Sequence, residues 1–161
     1  MSGREAAPPL RLDAHQQEVL GEEIAALHDA LHDEAARERY AQLAEAVAAA
    51  EIPPALFPGL EEVLDLSLST GRARRLHGAQ HEAELLRLFF ATARGAAVRR
   101  ATAEANEALR ALAGHRLESL TFAAARPGVF RMRVATDRCE ITLEVDRSSV
   151  SVDDLVVSGG G

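Results

Sequence analysis

The chain has 161 residues and a formal net charge of −7, a size that suits one domain with a substantial hydrophobic core. Its eighteen basic residues are all arginine, which excludes proteins that need a lysine, such as P-loop nucleotide-binding proteins and Schiff-base enzymes. The single cysteine excludes an internal disulfide, and no stretch has the ~18–20 apolar residues of a membrane-spanning helix, so we expect a cytoplasmic protein.

Residues 1–12 form a predicted flexible arm ahead of a long helix. Asp13 is a suitable N-cap, and the segment Ala14–Ala50 contains no proline. Apolar residues recur along it at spacings of three and four, with a shift of phase across the charged stretch Asp33–Arg39. We predict an acidic amphipathic helix over residues 13–51. Its carboxylates are interpreted as a solvent face, and its apolar stripe needs a partner helix.

Three prolines between Ile52 and Gly59 end this helix and mark the clearest internal boundary. Pro58 suits the first turn of a short helix, and Gly71 suits the position just past its end. We predict a helical core over residues 58–114.

The chain is organised around the helical stretch from Ala79 to Ala113. Small and apolar side chains recur along it at alternating spacings of three and four residues, which places them on one helical face. These residues are Leu88, Ala91, Gly95, Val98, Thr102, Ala105, Leu109 and Leu112. Because the middle of this face is small, we interpret it as a seam against another helix, in a second copy of the chain or in another helical protein. Thr92 can cap a new helix, so the stretch is either one helix or two.

Charge is segregated along the chain. Residues 1–71 are strongly acidic, whereas residues 72–116 carry nine arginines against four acidic residues. Either the two segments pair within the fold, or the arginines bind an anion such as a nucleic acid. An acidic overall charge without interleaved aromatic residues argues against nucleic acid, which is kept as the alternative. The candidate anion-binding residues are Arg72, Arg74, Arg75, Arg94, Arg99 and Arg100.

Two histidine pairs have the spacing that places both rings on one face of a helix. They are His28 with His32, and His77 with His81. Each pair supplies two metal ligands at most, so a metal-binding helical protein is only a second alternative. His28 and His32 border an apolar stripe where polar residues are expected anyway, and Gly78 weakens the helix that would align the other pair. We expect no metal and no other cofactor.

Alternating polarity near the C-terminus predicts a β-hairpin. Residues 130–134 and 139–145 each place apolar side chains on one face. A two-residue turn at Asp137 and Arg138 sets Val134 opposite Ile141 and Arg131 opposite Glu144, so apolar and charged residues agree on one register. Further strands are predicted at 117–123 and 150–157.

The sequence thus predicts an α+β fold of long antiparallel packed helices followed by a C-terminal antiparallel β-meander of three to four strands. We predict one domain over residues 13–157 and a Gly-rich tail at 158–161. No dinucleotide fingerprint or nucleophile elbow is present. We therefore expect a non-enzymatic protein–protein interaction or assembly module, most simply a homodimer formed through the helical seam, with no membrane partner.

Overall fold

The computed structural model describes residues 8–157. The predicted tail at 158–161 and the first seven residues of the predicted arm lie outside these residues. The described chain is an α+β fold, with helices followed by a C-terminal four-stranded antiparallel sheet, as the sequence predicted. The described residues separate into two compact units, the first ending at Gly95 and the second beginning at Ala96, whereas the sequence had suggested one domain.

Six α-helices lie within residues 8–157. They are α1 (Ala14–Ala30), α2 (Glu34–Ala48), α3 (Phe57–Ser69), α4 (Arg72–His77), α5 (Ala79–Ala91) and α6 (Ala93–Arg110), with a 3₁₀ turn at Pro54–Leu56. The strands are β1 (Leu10–Arg11), β2 (Glu51–Ile52), β3 (Leu117–Arg126), β4 (Val129–Thr136), β5 (Cys139–Asp146) and β6 (Val150–Val157). Every helix between residues 8 and 157 is too short or too polar to cross a membrane.

The prediction of one continuous helix over residues 13–51 is wrong, because the segment forms α1 and α2. The backbone is extended at Asp33, whose carboxylate accepts a hydrogen bond from the Ala36 N–H at 2.8 Å. Asp33 therefore caps a new helix. Gln17 near the start of α1 donates to the carbonyl of Val47 near the end of α2 at 2.8 Å, so the two helices run antiparallel.

The end of the predicted flexible arm is part of the fold, which corrects that prediction for its last residues. Leu10 pairs with Ile52 in a short antiparallel ladder between β1 and β2. The N–H of Leu12 donates to the carbonyl of Ala50 at 2.9 Å, and the Leu12 side chain is buried. The segment after α2 thus satisfies the backbone of the arm and fixes it.

Helix α3 follows the proline-rich turn as predicted. Pro58 lies in its first turn, and Leu60, Val63 and Leu64 are buried. Gly71 adopts a left-handed conformation with φ of 64°, directly after the C-cap of α3. A residue with a β-carbon is strained there, which explains the glycine.

The core of the first unit is formed by apolar side chains of its helices and of Ile52. Its most deeply buried members include Leu20, Ile24, Leu43, Ile52, Leu60, Leu64, Leu85 and Leu88. Tyr40, the only tyrosine in the chain, is also buried there. Burial, together with the neighbouring Glu62 carboxylate, raises the pKa of Tyr40 above its usual value.

The stretch Ala79–Ala113 contains two helices, which settles the alternative that the sequence left open. Helix α5 ends at Ala91, and Thr92 has an extended backbone. The Thr92 hydroxyl accepts a hydrogen bond from the Gly95 N–H at 3.1 Å and donates to the Phe89 carbonyl at 2.8 Å. Thr92 therefore ends one helix and caps the next.

The sheet has the strand order β3-β4-β5-β6, and the predicted hairpin register is confirmed. Val134 pairs with Ile141, and Arg131 pairs with Glu144. The Arg131 Nη2 donates to the Glu144 Oε1 at 3.1 Å. Apolar matching on one face and charge matching on the other thus selected the same register.

We predict that Gly95→Ala destabilises the protein by about 1–3 kcal/mol, the usual range for overpacking. A β-carbon at Gly95 would overlap the backbone carbonyl of Phe89, which cannot move aside as a flexible side chain could. Gly21→Ala is the matched control, because a β-carbon at Gly21 in α1 meets no atom within 4 Å. It should stabilise by up to about 1 kcal/mol. Urea unfolding measures both, and equal effects would contradict this account.

Candidate functional site: a buried glutamate and two histidines

A buried carboxylate lies at the centre of the first unit. Glu23 of α1 is 0% exposed, and a buried charge is unfavourable unless partners compensate it. Glu23 Oε2 accepts hydrogen bonds from the Ser67 hydroxyl of α3 at 2.7 Å and from Arg72 Nη1 of α4 at 2.5 Å. We name Glu22, Glu23, Ser67, Arg72, His77 and His81 the Glu23 cluster.

Two imidazole rings lie close to the other oxygen of this carboxylate, Glu23 Oε1. His81 Nε2 is 3.2 Å from Glu23 Oε1, and His77 Nε2 is 3.8 Å from the same atom. The rings are stacked, with centroids 4.3 Å apart and planes inclined by 17°. His81 is buried, whereas a third of the His77 side chain is exposed.

The two histidines lie close together although Gly78, as expected, interrupts the helix between them. Helix α4 ends at His77 and α5 begins at Ala79, so Gly78 does interrupt the helix. Its φ of 92° belongs to the region that glycine adopts without strain. The resulting change of direction leaves the His77 ring stacked on His81.

A second carboxylate faces the opposite edge of both rings. Glu22 Oε2 is 3.6 Å from His77 Nδ1 and 3.9 Å from His81 Nδ1. Half of the Glu22 side chain is exposed to solvent. Each imidazole thus lies between buried Glu23 on its Nε2 side and solvent-accessible Glu22 on its Nδ1 side.

Glu23 and Ser67 were missed by the sequence analysis, and the interpretation of the α1 carboxylates as a solvent face is wrong for Glu23. A signal was present. Glu23 lies three residues after Leu20 and one before Ile24, within the apolar stripe of α1. Ser67 likewise lies three residues after Leu64 and one before Leu68 in α3. A polar residue within the apolar stripe of a helix is buried when the helix packs, so it needs a hydrogen-bond partner in the protein interior.

The candidate pair His28 and His32 does not share a helical face. Helix α1 ends at Ala30, so His32 lies in the connection to α2, where it is exposed. His28 Nδ1 is 3.5 Å from the carboxylate of Asp29. Within residues 8–157, the group of three metal-ligating side chains that lie close together is Glu22, His77 and His81.

Three of the six candidate anion-binding arginines contact carboxylates. Arg72 pairs with Glu23, as described, Arg74 lies 3.6 Å from Glu82, and Arg94 lies 3.3 Å from Asp65. The six are also divided between the two units, since Arg72, Arg74, Arg75 and Arg94 belong to the first and Arg99 and Arg100 to the second. Pairing within the fold thus accounts for at least these three arginines, and the polyanion hypothesis stays untested.

The predicted helical seam is not one continuous surface. Leu88 of α5 lies in the core of the first unit, whereas Ala105, Leu109 and Leu112 pack on Ile141 and Leu143 of the sheet. Of the remaining members, Gly95 is buried, Val98 is half-buried, and Ala91 and Thr102 are exposed. The expectation of a helical partner is thus wrong for Ala105 and its neighbours, because β5 covers them.

The second unit leaves part of its apolar sheet face uncovered. Helix α6 packs on the central strands, where Val134, Ile141 and Leu143 are buried. The register places Leu120 and Phe122 of β3 on this same face. They are 59% and 63% exposed.

A stacked aromatic pair extends this exposed region onto the next strand. The Phe122 ring lies 5.4 Å from the Phe130 ring of β4, with the planes inclined by 12°. Phe130 is exposed as well. We name Leu117, Leu120, Phe122 and Phe130 the β3 surface.

The two edge strands of the sheet differ in how well they are protected against pairing with a further strand. Strand β6 carries Asp153 and Asp154 at its middle, beside a shift of register against β5. Charges and irregularities of this kind discourage pairing with another strand. Strand β3 has no charge between Ser119 and Ala125, and all ten of its residues are exposed. Its irregular pairings with β4 are confined to its two ends.

We predict that Glu23→Ala lowers the free energy of unfolding by about 3–5 kcal/mol, because it leaves Arg72 and Ser67 without their buried partner. Glu22→Ala is the matched control on the adjacent, half-exposed carboxylate and should cost less than about 1 kcal/mol. Urea unfolding in buffer with a chelator measures both. Similar losses for the two variants would show that burial of Glu23 carries no special stabilisation.

The Glu23 cluster and the β3 surface are the regions of the described structure whose geometry suggests a function. The first offers ligands and proton-binding groups, and the second offers exposed apolar area beside an open strand edge. No family model, no curated protein and no solved structure matches this chain. A proposal of function rests on the geometry of its own residues.

Proposed function

We propose that the chain is a non-enzymatic assembly module that forms a homodimer by pairing β3 with β3 of a second copy. The observation that carries this proposal is the open, uncharged edge of β3 with Phe122 exposed beside it. An unprotected edge presents unpaired N–H and C=O groups to another strand. The contact surface therefore moves from the helical seam to the sheet. A cytoplasmic location remains part of this proposal.

The charges at the ends of β3 favour a second copy in antiparallel orientation. Glu118 and Arg126 each lie four residues from Phe122. Pairing with Phe122 on the two-fold axis places Glu118 of one copy opposite Arg126 of the other. A parallel pairing would place like charges together, which is unfavourable. The strand is thus complementary to itself in one orientation.

The exposed side chains provide the energy that backbone pairing lacks. Full burial of a leucine or phenylalanine is worth about 1.5–3 kcal/mol, so Leu120 and Phe122 of both copies supply at most roughly 6–12 kcal/mol. Hydrogen bonds between the strands add about 0.5–1.5 kcal/mol each. Association itself costs roughly 4–15 kcal/mol. We therefore expect a dimer that dissociates on dilution.

We predict that light scattering gives a mass that rises with concentration toward twice that of the chain, and that Phe122→Lys abolishes the rise. The introduced charge would be buried at the axis, whereas Phe122 is 63% exposed in the free chain, so we expect the fold to tolerate its replacement. Leu155→Lys is the matched control, because Leu155 lies on the same sheet face at the protected edge. It should dimerise like the unchanged protein.

A mass of one chain at every concentration would overturn the proposal. An equal loss in Leu155→Lys would also contradict it, because it would locate the interface elsewhere on the sheet. A bulky charge at Ala105 is not a useful probe. That residue is buried against the sheet, so its replacement disturbs the fold itself.

A further inference from the structure

We propose that Glu22, His77 and His81 bind a divalent transition metal ion of the zinc class, with Glu23 as the group that orients the two histidines. This site is independent of the proposed dimer, since all four residues belong to the first unit. One ligand atom from each of Glu22, His77 and His81 lies within 4.8 Å of the others. Two imidazoles and one carboxylate are a ligand set that suits zinc and its neighbours better than magnesium or calcium.

The ligand atoms lie close to the separations that a bound ion requires. Glu22 Oε2 is 3.6 Å from His77 Nδ1 and 3.9 Å from His81 Nδ1. Bonds of ~2.0–2.1 Å in tetrahedral geometry place neighbouring ligand atoms about 3.3 Å apart. The two distances from Glu22 exceed this separation by a few tenths of an ångström, and the ligand atoms of the two histidines lie within 4.8 Å of each other.

Glu23 supplies the outer partner that metal-bound histidines require. A ligating imidazole donates its other N–H to a carboxylate or carbonyl, which fixes the tautomer and the ring orientation. His81 Nε2 lies 3.2 Å from Glu23 Oε1, within hydrogen-bond distance, whereas His77 Nε2 lies 3.8 Å from the same oxygen, beyond a hydrogen bond but close enough for a small ring movement to form one. With the protons on Nε2, both Nδ1 lone pairs are available on the Glu22 side. Ser67 and Arg72 hold Glu23 in place by bonding its other oxygen.

Metal binding requires one ring to turn. Stacked rings with planes inclined by 17° direct their in-plane lone pairs side by side, so the lone pairs do not converge on one ion. His81 is buried and held by Glu23, whereas His77 is the last residue of α4 and a third of its side chain is exposed. We therefore assign the rotation to His77. With three ligands from the chain, a water molecule would supply the fourth position of a tetrahedral site.

The test is a titration of the full chain with Co²⁺, followed through its visible absorption, and equilibrium dialysis against Zn²⁺ with elemental analysis. We expect one ion per chain and a band of tetrahedral Co²⁺. His77→Ala and Glu22→Gln should abolish the band, since each removes a ligand from an exposed position that the fold tolerates. Glu23→Gln keeps the shape of the side chain and should weaken Zn²⁺ binding by about 10–100-fold, the usual effect of losing an outer-shell partner.

The double variant His28→Ala with His32→Ala is the matched control, because it removes two histidines of the same unit that lie outside the cluster. It should bind Co²⁺ and Zn²⁺ like the unchanged protein. Absence of the band and of retained Zn²⁺ in the unchanged chain would overturn the site. So would binding that survives both His77→Ala and Glu22→Gln, or binding that is lost in the control. Unchanged affinity in Glu23→Gln would overturn the orienting role of that carboxylate.

Discussion

The first unit depends on the buried charge of Glu23. Its carboxylate belongs to α1, and its hydrogen-bond partners come from α3, α4 and α5. A charge removed from water is unfavourable unless its oxygens are paired, so Glu23 favours helix arrangements that supply partners to both of them. One side chain thus links four helices through hydrogen bonds. His81 reaches the oxygen that Ser67 and Arg72 leave open, with the His77 ring stacked on it.

The second unit follows a different principle. A sheet with one apolar face needs a cover, and α6 supplies a single helix for four strands. Small residues such as Ala105 let the helix approach Ile141 and Leu143 closely, but its width protects only the central strands. The outer strands keep apolar side chains in water. The C-terminal part of the predicted seam is thus a packing surface against the sheet, and exposed apolar side chains lie on β3 beside it.

The sequence pattern was sufficient to predict the hairpin, because side chains alternate every two residues along a strand and the paired strands are joined by a short turn. The register of β4 and β5 followed from alternation and from a two-residue turn at Asp137 and Arg138. The break at Asp33 was ambiguous, because charged residues suit a solvated helix as well as a cap. The Glu23 cluster could not be assembled from the sequence, since 58 residues separate Glu23 from His81 and no periodicity reports a contact between helices. The wrong helical partner for Ala105 has the same origin, because small residues pack equally well on a sheet.

The placement of the aromatic residues makes the intrinsic fluorescence of the first unit different from that of the second. The chain has no tryptophan and one tyrosine, and that residue, Tyr40, is buried in the first unit. Phenylalanine contributes little emission beside tyrosine, so intrinsic fluorescence monitors the first unit alone. Circular dichroism records both units. Fluorescence and dichroism that change at different denaturant concentrations would therefore reveal two units that melt separately. The unfolding of the two units can therefore be followed separately without attaching a fluorescent dye.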